Sequence, residues 1–476
     1  MKVIIADFKI AKYGGIVEYT AAMLKAFKEL GCDVDIVQIH PKPITEREYN
    51  KKVSDIVSGE YDKRIKYNSE WASYQKDETV GYYRNPYHGY YLPPSHRIGA
   101  YEKDAMERWF DLVGDADIIL WNFMPTKLRY WVEGGKKLNF WHKFFDLPDR
   151  IKQVFLVHDA YFNVRASNII AVKDKILFLG CAHLAAYYCC SEIGIPRTLL
   201  FNPRYIEDDA KMPVKLKDDR KVDFFAAHMF KPMKHMEEYV AAIPYVNSVC
   251  EIAGAGIEYS YMTSVNKIKQ NYLCTKKRDK KLPDEMDGKI SLWNRAVDSG
   301  MIYHGQMSGE AVIKKLKNTK FAIDPSYCTH YANYCNTHIN GFTIEAMLCG
   351  AYPVLRDYRG LVKNDTDIYD PLFENIRAVF IPWNASPSEF ADILNSSIKN
   401  ISTKKFIKDT KHNFELVREF FNAKRNAEEI IRLCKNSKKK IKDILQCGHD
   451  SANVKKICDE MMNDFFGIEL PIEWEN

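Results

Sequence analysis

The sequence lacks the features of membrane, secreted and zinc-binding proteins. No apolar run reaches the roughly 18 residues that a membrane-spanning helix requires. The first residues, MKVIIADF, predict a strand and lack the cationic, apolar and small-residue zones of a signal peptide. The 12 cysteines include no CxxC pair and no Cys-His cluster at zinc spacing. We therefore expect a cytoplasmic protein with buried, reduced thiols and no metal site.

Chain length and net charge bear on the number of domains and on the kind of partner. A chain of 476 residues is too long for one typical core and suits two domains of roughly 200 residues each. The formal net charge of +6 permits a polyanionic partner without requiring one.

The N-terminal half shows alternating strand and helix patterns. A strand at Lys2–Asp7, a loop ending in Gly14 and Gly15, a helix at 17–30 and a strand at 33–39 predict a Rossmann-like opening. The loop does not match GxGxxG, so a nicotinamide cofactor is not expected. Further strands are predicted at 116–123, 154–157, 176–180 and 199–201. The strand at 154–157 delivers His158 and Asp159 at its carboxyl end, where open α/β sheets bind ligands.

Residues 41–100 interrupt this pattern with a segment rich in Tyr, Pro and His, and we do not expect a core strand-helix unit there. The segment either packs its own aromatic rings or forms an acceptor surface, since Tyr stacks on bases and Arg neutralises phosphates. The acceptor candidates are Tyr82, Tyr83 and Arg84.

A charged stretch at 204–220 predicts a linker, and a second sheet follows it. Strands are expected at Val222–Ala227, 250–253, 301–305 and 321–325, with helices at Met236–Ala242 and 310–318. One long amphipathic helix is expected at 410–433. A basic run at 267–281 is either a solvated loop or a phosphate-binding segment, with the candidates Lys267, Lys269, Lys276, Lys277 and Arg278.

The stretch THINGFTIEAMLCGAYPVL at 337–355 carries the clearest functional pattern. Gly341 is expected to open a helix whose N–H groups at Phe342 and Thr343 face a phosphate. Glu345 is placed in the first turn, where its carboxylate either accepts ribose hydroxyls or only caps the helix. Gly350 should end the helix, and a strand should follow at 351–355.

The residues Glu-Ala-Met-x-Cys-Gly-x-x-Pro-Val within this stretch resemble the nucleotide-sugar signature of retaining GT-B glycosyltransferases of the family 4 type. Such enzymes usually have a second Glu eight positions before the first, where this chain has Thr337. The resemblance implies an α/β fold of two Rossmann-like doubly wound domains facing a central cleft, with a C-terminal helix crossing back to the first domain. The implied division is 1–205, a linker at 206–220, a donor domain at 221–410, the crossing helix at 411–435 and a tail at 436–476.

The resemblance also implies roles for individual residues. The donor diphosphate would lie near Gly14 and Gly15 and bind Lys234, with His228 or Lys231 in place of a usual Arg. Gly254 and His304 would line the nucleotide site at strand ends, with His304 near the uracil edge. His158 would hold the donor sugar, and Asp159 would receive or orient the acceptor proton.

Three shorter segments, DADIILWNFMPT, VHDAYF and AGA, are similar to phage DNA α-glucosyltransferases. That similarity implies a monomer that transfers glucose, or a pentose such as arabinose, from a UDP-sugar to 5-hydroxymethylcytosine in double-stranded DNA. It would act in the host cytoplasm without a membrane and without an essential metal, since no Asp-x-Asp follows a strand in the first half. The alternatives are a GT-B enzyme of cell-wall or polysaccharide synthesis and a non-catalytic protein that binds DNA or a nucleotide sugar.

Overall fold

The structure, a computed structural model, divides the chain into two units. It describes residues 1–7, 15–40, 75–77, 82–85, 89–91, 96–99, 104–123, 132–133, 136–137, 141–158, 172–182, 194–201, 203–213, 215–228, 234–254, 292–305, 307–326, 339–357 and 375–436. The first unit contains Met1–Asp208 and the chain from Glu419 onward, and the second contains Asp209–Arg418.

The first unit is built on a seven-stranded parallel sheet with the order β12-β11-β10-β7-β1-β2-β6. Strands β1 to β12 span Lys2–Asp7, Asp33–His40, Gln75–Asp77, Tyr82–Asn85, Gly89–Tyr91, His96–Gly99, Ile118–Phe123, Val132–Glu133, Lys136–Lys137, Lys152–Val157, Phe178–Cys181 and Arg197–Leu199. The central strands are mostly apolar because a parallel sheet is covered on both faces.

Helices α1 to α8 span Gly15–Glu29, Ala105–Val113, Met236–Ala242, Gly309–Leu316, Gly341–Leu348, Pro387–Asn400, Thr403–Phe420 and Ala423–Lys435. In the first unit, α1 and α8 pack together on one face of the sheet, around Val3, Phe27 and Ile430. On the other face, Trp109 of α2 packs against Trp121 of β7 with ring centroids 5.5 Å apart. Short 3-10 turns lie at Trp141–Phe145, Lys173–Lys175 and Ile243–Tyr245.

The segment at 41–100 contributes a strand to this sheet, which was not expected from its sequence. Strand β6 pairs in parallel with β2, and Ile98 within it is fully buried. The expectation that the segment contains no core strand-helix unit was therefore wrong at its C-terminal end, where β6 joins the core sheet. Strands β3, β4 and β5 form a separate antiparallel sheet, in which β4 is central and carries Tyr82, Tyr83 and Arg84.

The second unit is a six-stranded parallel sheet with the order β15-β14-β13-β16-β17-β18. Strands β13 to β18 span Val222–Ala227, Cys250–Ala253, Ile302–Tyr303, Thr319–Asp324, Tyr352–Asp357 and Val379–Pro382. Neighbouring residues of β13 serve opposite faces: Phe224 packs with α3 and α6, whereas Phe225 packs with α4 and α5. Helices on both faces of a parallel sheet make this unit Rossmann-like.

The second half of the charged stretch at 204–220 is docked onto the second unit. Arg220 is 2% exposed, and its guanidinium donates to the backbone oxygens of Leu316 (3.2 Å), Thr319 (2.9 Å) and Cys349 (3.2 Å). The carbonyls of Leu316 and Cys349 lie at the ends of α4 and α5, where they have no helical partners, and Thr319 is the first residue of β16. Gly350, at φ +65°, ends α5 as predicted, and a Cβ there would lie 3.0 Å from Arg220 Nη2.

The prediction of a single helix at 410–433 was wrong, because the chain forms two helices, α7 and α8. Asn422 separates them by accepting the N–H of Lys424 on its side chain at 3.0 Å. The carbonyl of the neighbouring Phe421 accepts the N–H of Arg204 at 2.6 Å. This carbonyl is therefore bonded outside the helices. None of the helices in the described ranges is long and apolar enough to cross a membrane.

Candidate functional site

In the second unit, two segments about a hundred residues apart meet at the carboxyl ends of neighbouring strands. His228 follows β13, and Asp324 is the last residue of the adjacent β16. His228 Nε2 lies 3.5 Å from Asp324 Oδ1, and its ring meets that of Phe342 edge-on at 4.7 Å. Asp324 Oδ2 accepts the hydroxyl hydrogen of Thr343 at 2.6 Å. The structure thus brings together three predicted donor-site residues around an aspartate that was not predicted from the sequence.

The charges of this cluster, formed by His228, Asp324, Thr343 and Lys234, depend on its burial. The pKa of His228 is lowered to about 4, chiefly by burial; the Asp324 carboxylate opposes this shift, and the positive charge of Lys234 adds to it. Burial also tends to raise the pKa of Asp324, but His228, Lys234 and hydrogen bonds from Thr343 and Ser326 outweigh it and hold that pKa below its usual value. At neutral pH the cluster therefore contains a neutral imidazole, a carboxylate and a nearby ammonium group.

Helix α5 begins at Gly341, but its first turn differs from the prediction. The side chain of Asn340 accepts the N–H groups of Phe342 at 3.1 Å and Thr343 at 3.3 Å. Two donors expected to face a phosphate therefore already have a partner within the chain, so a phosphate would share them or replace Asn340. Asn340 is also the cap, which leaves Glu345 without that role.

The placement of Glu345 in the first turn was wrong. Because the helix starts at Gly341, Glu345 is its fifth residue, and the first turn contains no acidic side chain. Glu345 is half-buried in the second turn. Its contact with a ribose stays a prediction.

A second polar cluster joins β14, the residue that follows β15, and α4. Glu251, 8% exposed, accepts hydrogen bonds from His304 Nε2 at 2.5 Å and Lys315 Nζ at 2.7 Å. Burial tends to raise the pKa of Glu251, but these two partners outweigh it, and the pKa is lowered. Gly254 donates its N–H to the carbonyl of Gly305 at 2.9 Å, which holds the two predicted turns together. One nitrogen of His304 is therefore engaged inside the protein.

Phe225 connects the two clusters of the second unit. Its ring centroid lies 6.0 Å from that of Phe342 and 6.5 Å from that of His304. His228, Phe342 and His304 thus lie along one edge of the sheet. This edge is the carboxyl end of parallel strands, where Rossmann-like sheets bind nucleotides.

In the first unit, His158 follows β10 and is held by residues of neighbouring elements. Its Nε2 lies 2.8 Å from the amide oxygen of Asn122, whose amide nitrogen donates to the Thr20 hydroxyl at 2.6 Å. Because an amide oxygen can only accept, the hydrogen of this contact is assigned to His158 Nε2. Tyr19 meets the same ring edge-on at 4.7 Å. The sequence signal for Asn122 was a polar residue inside the apolar run ADIILWNF.

The following predicted site residues lie outside the described residues: Gly14, Asp159, Lys231, Lys267, Lys269, Lys276, Lys277 and Arg278. Gly15 is the first residue of α1. Across the described ranges, no three His, Cys, Asp or Glu side chains come together as metal ligands would.

Comparisons with solved structures identify the fold. An α-glucosyltransferase, in complex with UDP and a 13-mer DNA containing a central A:G mismatch, superposes with a TM-score of 0.54 at 11% identity, covering 91% of this chain and 100% of that chain. A glycosyltransferase from Rickettsia africae ESF-5 superposes with a TM-score of 0.52 at 11% identity, covering 92% and 99% of the two chains. A mutant of S. aureus TarM, in complex with fondaparinux, α-GlcNAc-glycerol and UDP, gives 0.52 at 12% identity, covering 91% and 99%.

The chain has the GT-B fold. The predicted α/β class with two Rossmann-like domains is thus confirmed. No protein-family model matches the sequence, and no curated protein matches it either. At 11–12% identity the likeness of these GT-B structures is one of fold, so the activity has to be argued from the site itself.

Proposed function

We propose that the protein is a retaining glycosyltransferase that takes its sugar from a UDP-sugar bound to the second unit. The observation that carries this proposal is the meeting of His228, Asp324 and Phe342 at the ends of two neighbouring parallel strands. Ligands of open α/β sheets bind at such ends, and Lys234 supplies a positive charge that lowers the pKa values of both His228 and Asp324.

The donor contacts follow from the chemistry of these residues. Lys234, together with Lys231, would neutralise the diphosphate as point charges, without the two-pronged hydrogen bonding of an Arg. Glu345 would accept hydroxyl hydrogens of the ribose. His304, held by Glu251, would stand near the uracil edge. The leaving diphosphate would be stabilised without a metal ion.

We further propose 5-hydroxymethylcytosine in double-stranded DNA as the acceptor. Support comes from the GT-B neighbour whose structure contains UDP and DNA, and from the basic and Tyr-rich segments of this chain. The bond between the sugar C1 and the diphosphate oxygen would break, and a bond from C1 to the hydroxymethyl oxygen would form. Asp159 would receive or orient the hydroxyl proton, while His158 would hold the sugar.

The donor assignment is tested by calorimetric titration with UDP. We expect Lys234→Ala to weaken binding by about 1.5–3 kcal/mol, the usual contribution of a hydrogen bond to a charged group. Lys320→Ala is the matched control, because Lys320 lies near the opposite end of β16 and pairs with Asp223 at 2.7 Å. Equal UDP affinity of the Lys234 and Lys320 variants would contradict the assignment.

The acceptor is tested by incubating UDP-glucose or a UDP-pentose with duplex DNA that contains either hydroxymethylcytosine or cytosine. Transfer to the hydroxymethylated duplex alone, persisting in EDTA, is the expected result. Transfer to a lipid carrier or polysaccharide instead would favour the cell-wall alternative. UDP and DNA binding without transfer to any acceptor would favour the non-catalytic alternative.

A further inference from the structure

His235 has an unusual backbone conformation directly after Lys234. Its φ is 47° and its ψ 29°, and among the described residues it is the one non-glycine residue with positive φ. A side chain with a Cβ is costly in this left-handed region, and such strain is concentrated at functional sites. His235 is also the N-cap residue of α3, and its carbonyl accepts the N–H of Glu238 at 3.1 Å.

A chain of side-chain contacts holds this conformation in place. His235 Nδ1 lies 3.0 Å from Glu238 Oε1, and the other carboxylate oxygen of Glu238 binds the guanidinium of Arg356. The Arg356 side chain is 1% exposed, donates to the Pro382 carbonyl at 2.7 Å and lies 4.6 Å from the ring centroid of Phe390. The residue after Lys234 is therefore anchored to the ends of β17 and β18, deep in the second unit.

The contacts of His235 influence the placement of Lys234, the residue that would bind the diphosphate. The left-handed backbone at residue 235 turns the chain sharply between Lys234 and α3. This conformation therefore sets the direction of the Lys234 side chain relative to α3. In the observed arrangement the Lys234 charge acts on both His228 and Asp324. A right-handed or extended residue 235 would aim Lys234 elsewhere.

We propose that His235 is a positioning residue that directs the ammonium group of Lys234 toward the donor diphosphate. The His235–Glu238–Arg356 contacts stabilise the strained backbone that this placement needs. The proposal rests on the proposed function for its ligand, while the placement of Lys234 can be tested without any ligand.

The first test is a double-substitution cycle measured with UDP. We expect His235→Leu to weaken UDP binding about three- to tenfold, in the range of coupling between neighbouring residues. His235→Asn should retain most of the affinity, because Asn tolerates left-handed backbone. In the Lys234→Ala background, His235→Leu should cause no further loss. An equal loss in both backgrounds would overturn the proposal, since His235 would then act independently of Lys234.

The second test follows the titration of the His228 ring by NMR in the protein without ligand, with its resonance assigned from His228→Gln. Because Lys234 lowers the pKa of His228, we expect this pKa to rise in Lys234→Ala and in His235→Leu but not in His235→Asn. Unchanged titration in a folded His235→Leu protein would overturn the proposal. If that variant does not fold, Glu238→Gln removes the charged anchor and is expected to give the same rise.

These outcomes separate the two hypotheses. A wild-type protein that fails to bind UDP would contradict the proposed function, while the His228 titration would still report where Lys234 points. A wild-type protein that binds UDP with no coupling between His235 and Lys234 would contradict only the positioning role.

Discussion

His228 makes the stability of the second unit depend on pH. Burial lowers its pKa to about 4, whereas its ordinary value is 6.5. Between these values the unfolded chain binds a proton that the folded chain does not, so the free energy of unfolding falls as the pH falls through this window. At about 1.4 kcal/mol per pKa unit, the full loss is on the order of 3–4 kcal/mol. The pKa of Asp324 is held below its ordinary value of 3.8, so this residue adds a further loss of stability at lower pH.

Urea unfolding at a series of pH values measures this effect. We expect His228→Gln to flatten the dependence between about pH 6.5 and about pH 4. His412→Gln is the control, since His412 is an exposed histidine of the same unit. A wild-type protein with constant stability across this window would show that His228 is not buried in its neutral form.

Individual polar residues were the hardest features to predict from the sequence. His228, Phe342 and Thr343 were found because they belong to a recognisable motif or follow a predicted strand. Asp324 and Asn122 were missed, because their partners Thr343 and Thr20 come from other elements and a one-dimensional pattern does not contain such distances. Arg220 was assigned to a charged linker for the same reason, although it is buried against carbonyls at the ends of α4 and α5.

At the scale of elements, apolar periodicity predicted the strands and helices whose bounds depend on the local sequence. The bounds of β13 and α3 were predicted to the residue, since a buried strand and a short amphipathic helix differ clearly in apolar spacing. The apolar spacing of α7 continues into α8, so the pattern predicted one helix. The break at Asn422 depends on a bond between Phe421 and the distant Arg204, which spacing cannot reveal.

The cap of α5 gives a prediction about how this helix meets the donor. Asn340→Asp retains a good N-cap side chain, so the stability should change little. The substitution also adds a negative charge beside Phe342 and Thr343. If the diphosphate binds at this end of the helix, UDP affinity should fall by about 1 kcal/mol, the usual size of charge effects at helix ends.

Asn422→Asp is the matched control, because Asn422 caps α8 in the first unit through a similar contact with Lys424. We expect it to bind UDP like the wild type, as measured by calorimetry. Equal affinity of the two Asp variants would place the diphosphate away from α5 and leave Lys234 as its main contact.

At the scale of the whole molecule, the fold and the acceptor rest on different parts of the chain. Each unit has its own apolar core packed against its sheet, and the motif pattern was sufficient to predict this architecture. In the proposed function, the Tyr-rich and basic segments would contact the acceptor. Their contribution to DNA binding can be measured through the dependence of the affinity on salt concentration.

If double-stranded DNA is the acceptor, its binding should weaken steeply with salt. Each phosphate that a Lys or Arg neutralises releases counterions and contributes about −0.9 to the slope of log affinity against log salt. Replacing Lys276, Lys277 and Arg278 by Ser should therefore reduce the steepness by up to about 0.9 for each phosphate that is no longer neutralised. The target base would also have to leave the stack to reach His158 and Asp159, because a hydroxymethyl group held in a duplex cannot meet a sugar carbon buried in the enzyme.

The matched control replaces Lys404, Lys408 and Lys411 by Ser, three exposed lysines of α7, and removes the same charge from the second unit. Fluorescence anisotropy with labelled duplex DNA at several salt concentrations gives both slopes, and UDP affinity should stay unchanged in both variants. Equal slopes for the two variants would show that net charge alone governs DNA binding. A wild-type affinity independent of salt would remove DNA as the acceptor, because a phosphate backbone cannot be bound by cations without releasing its counterions.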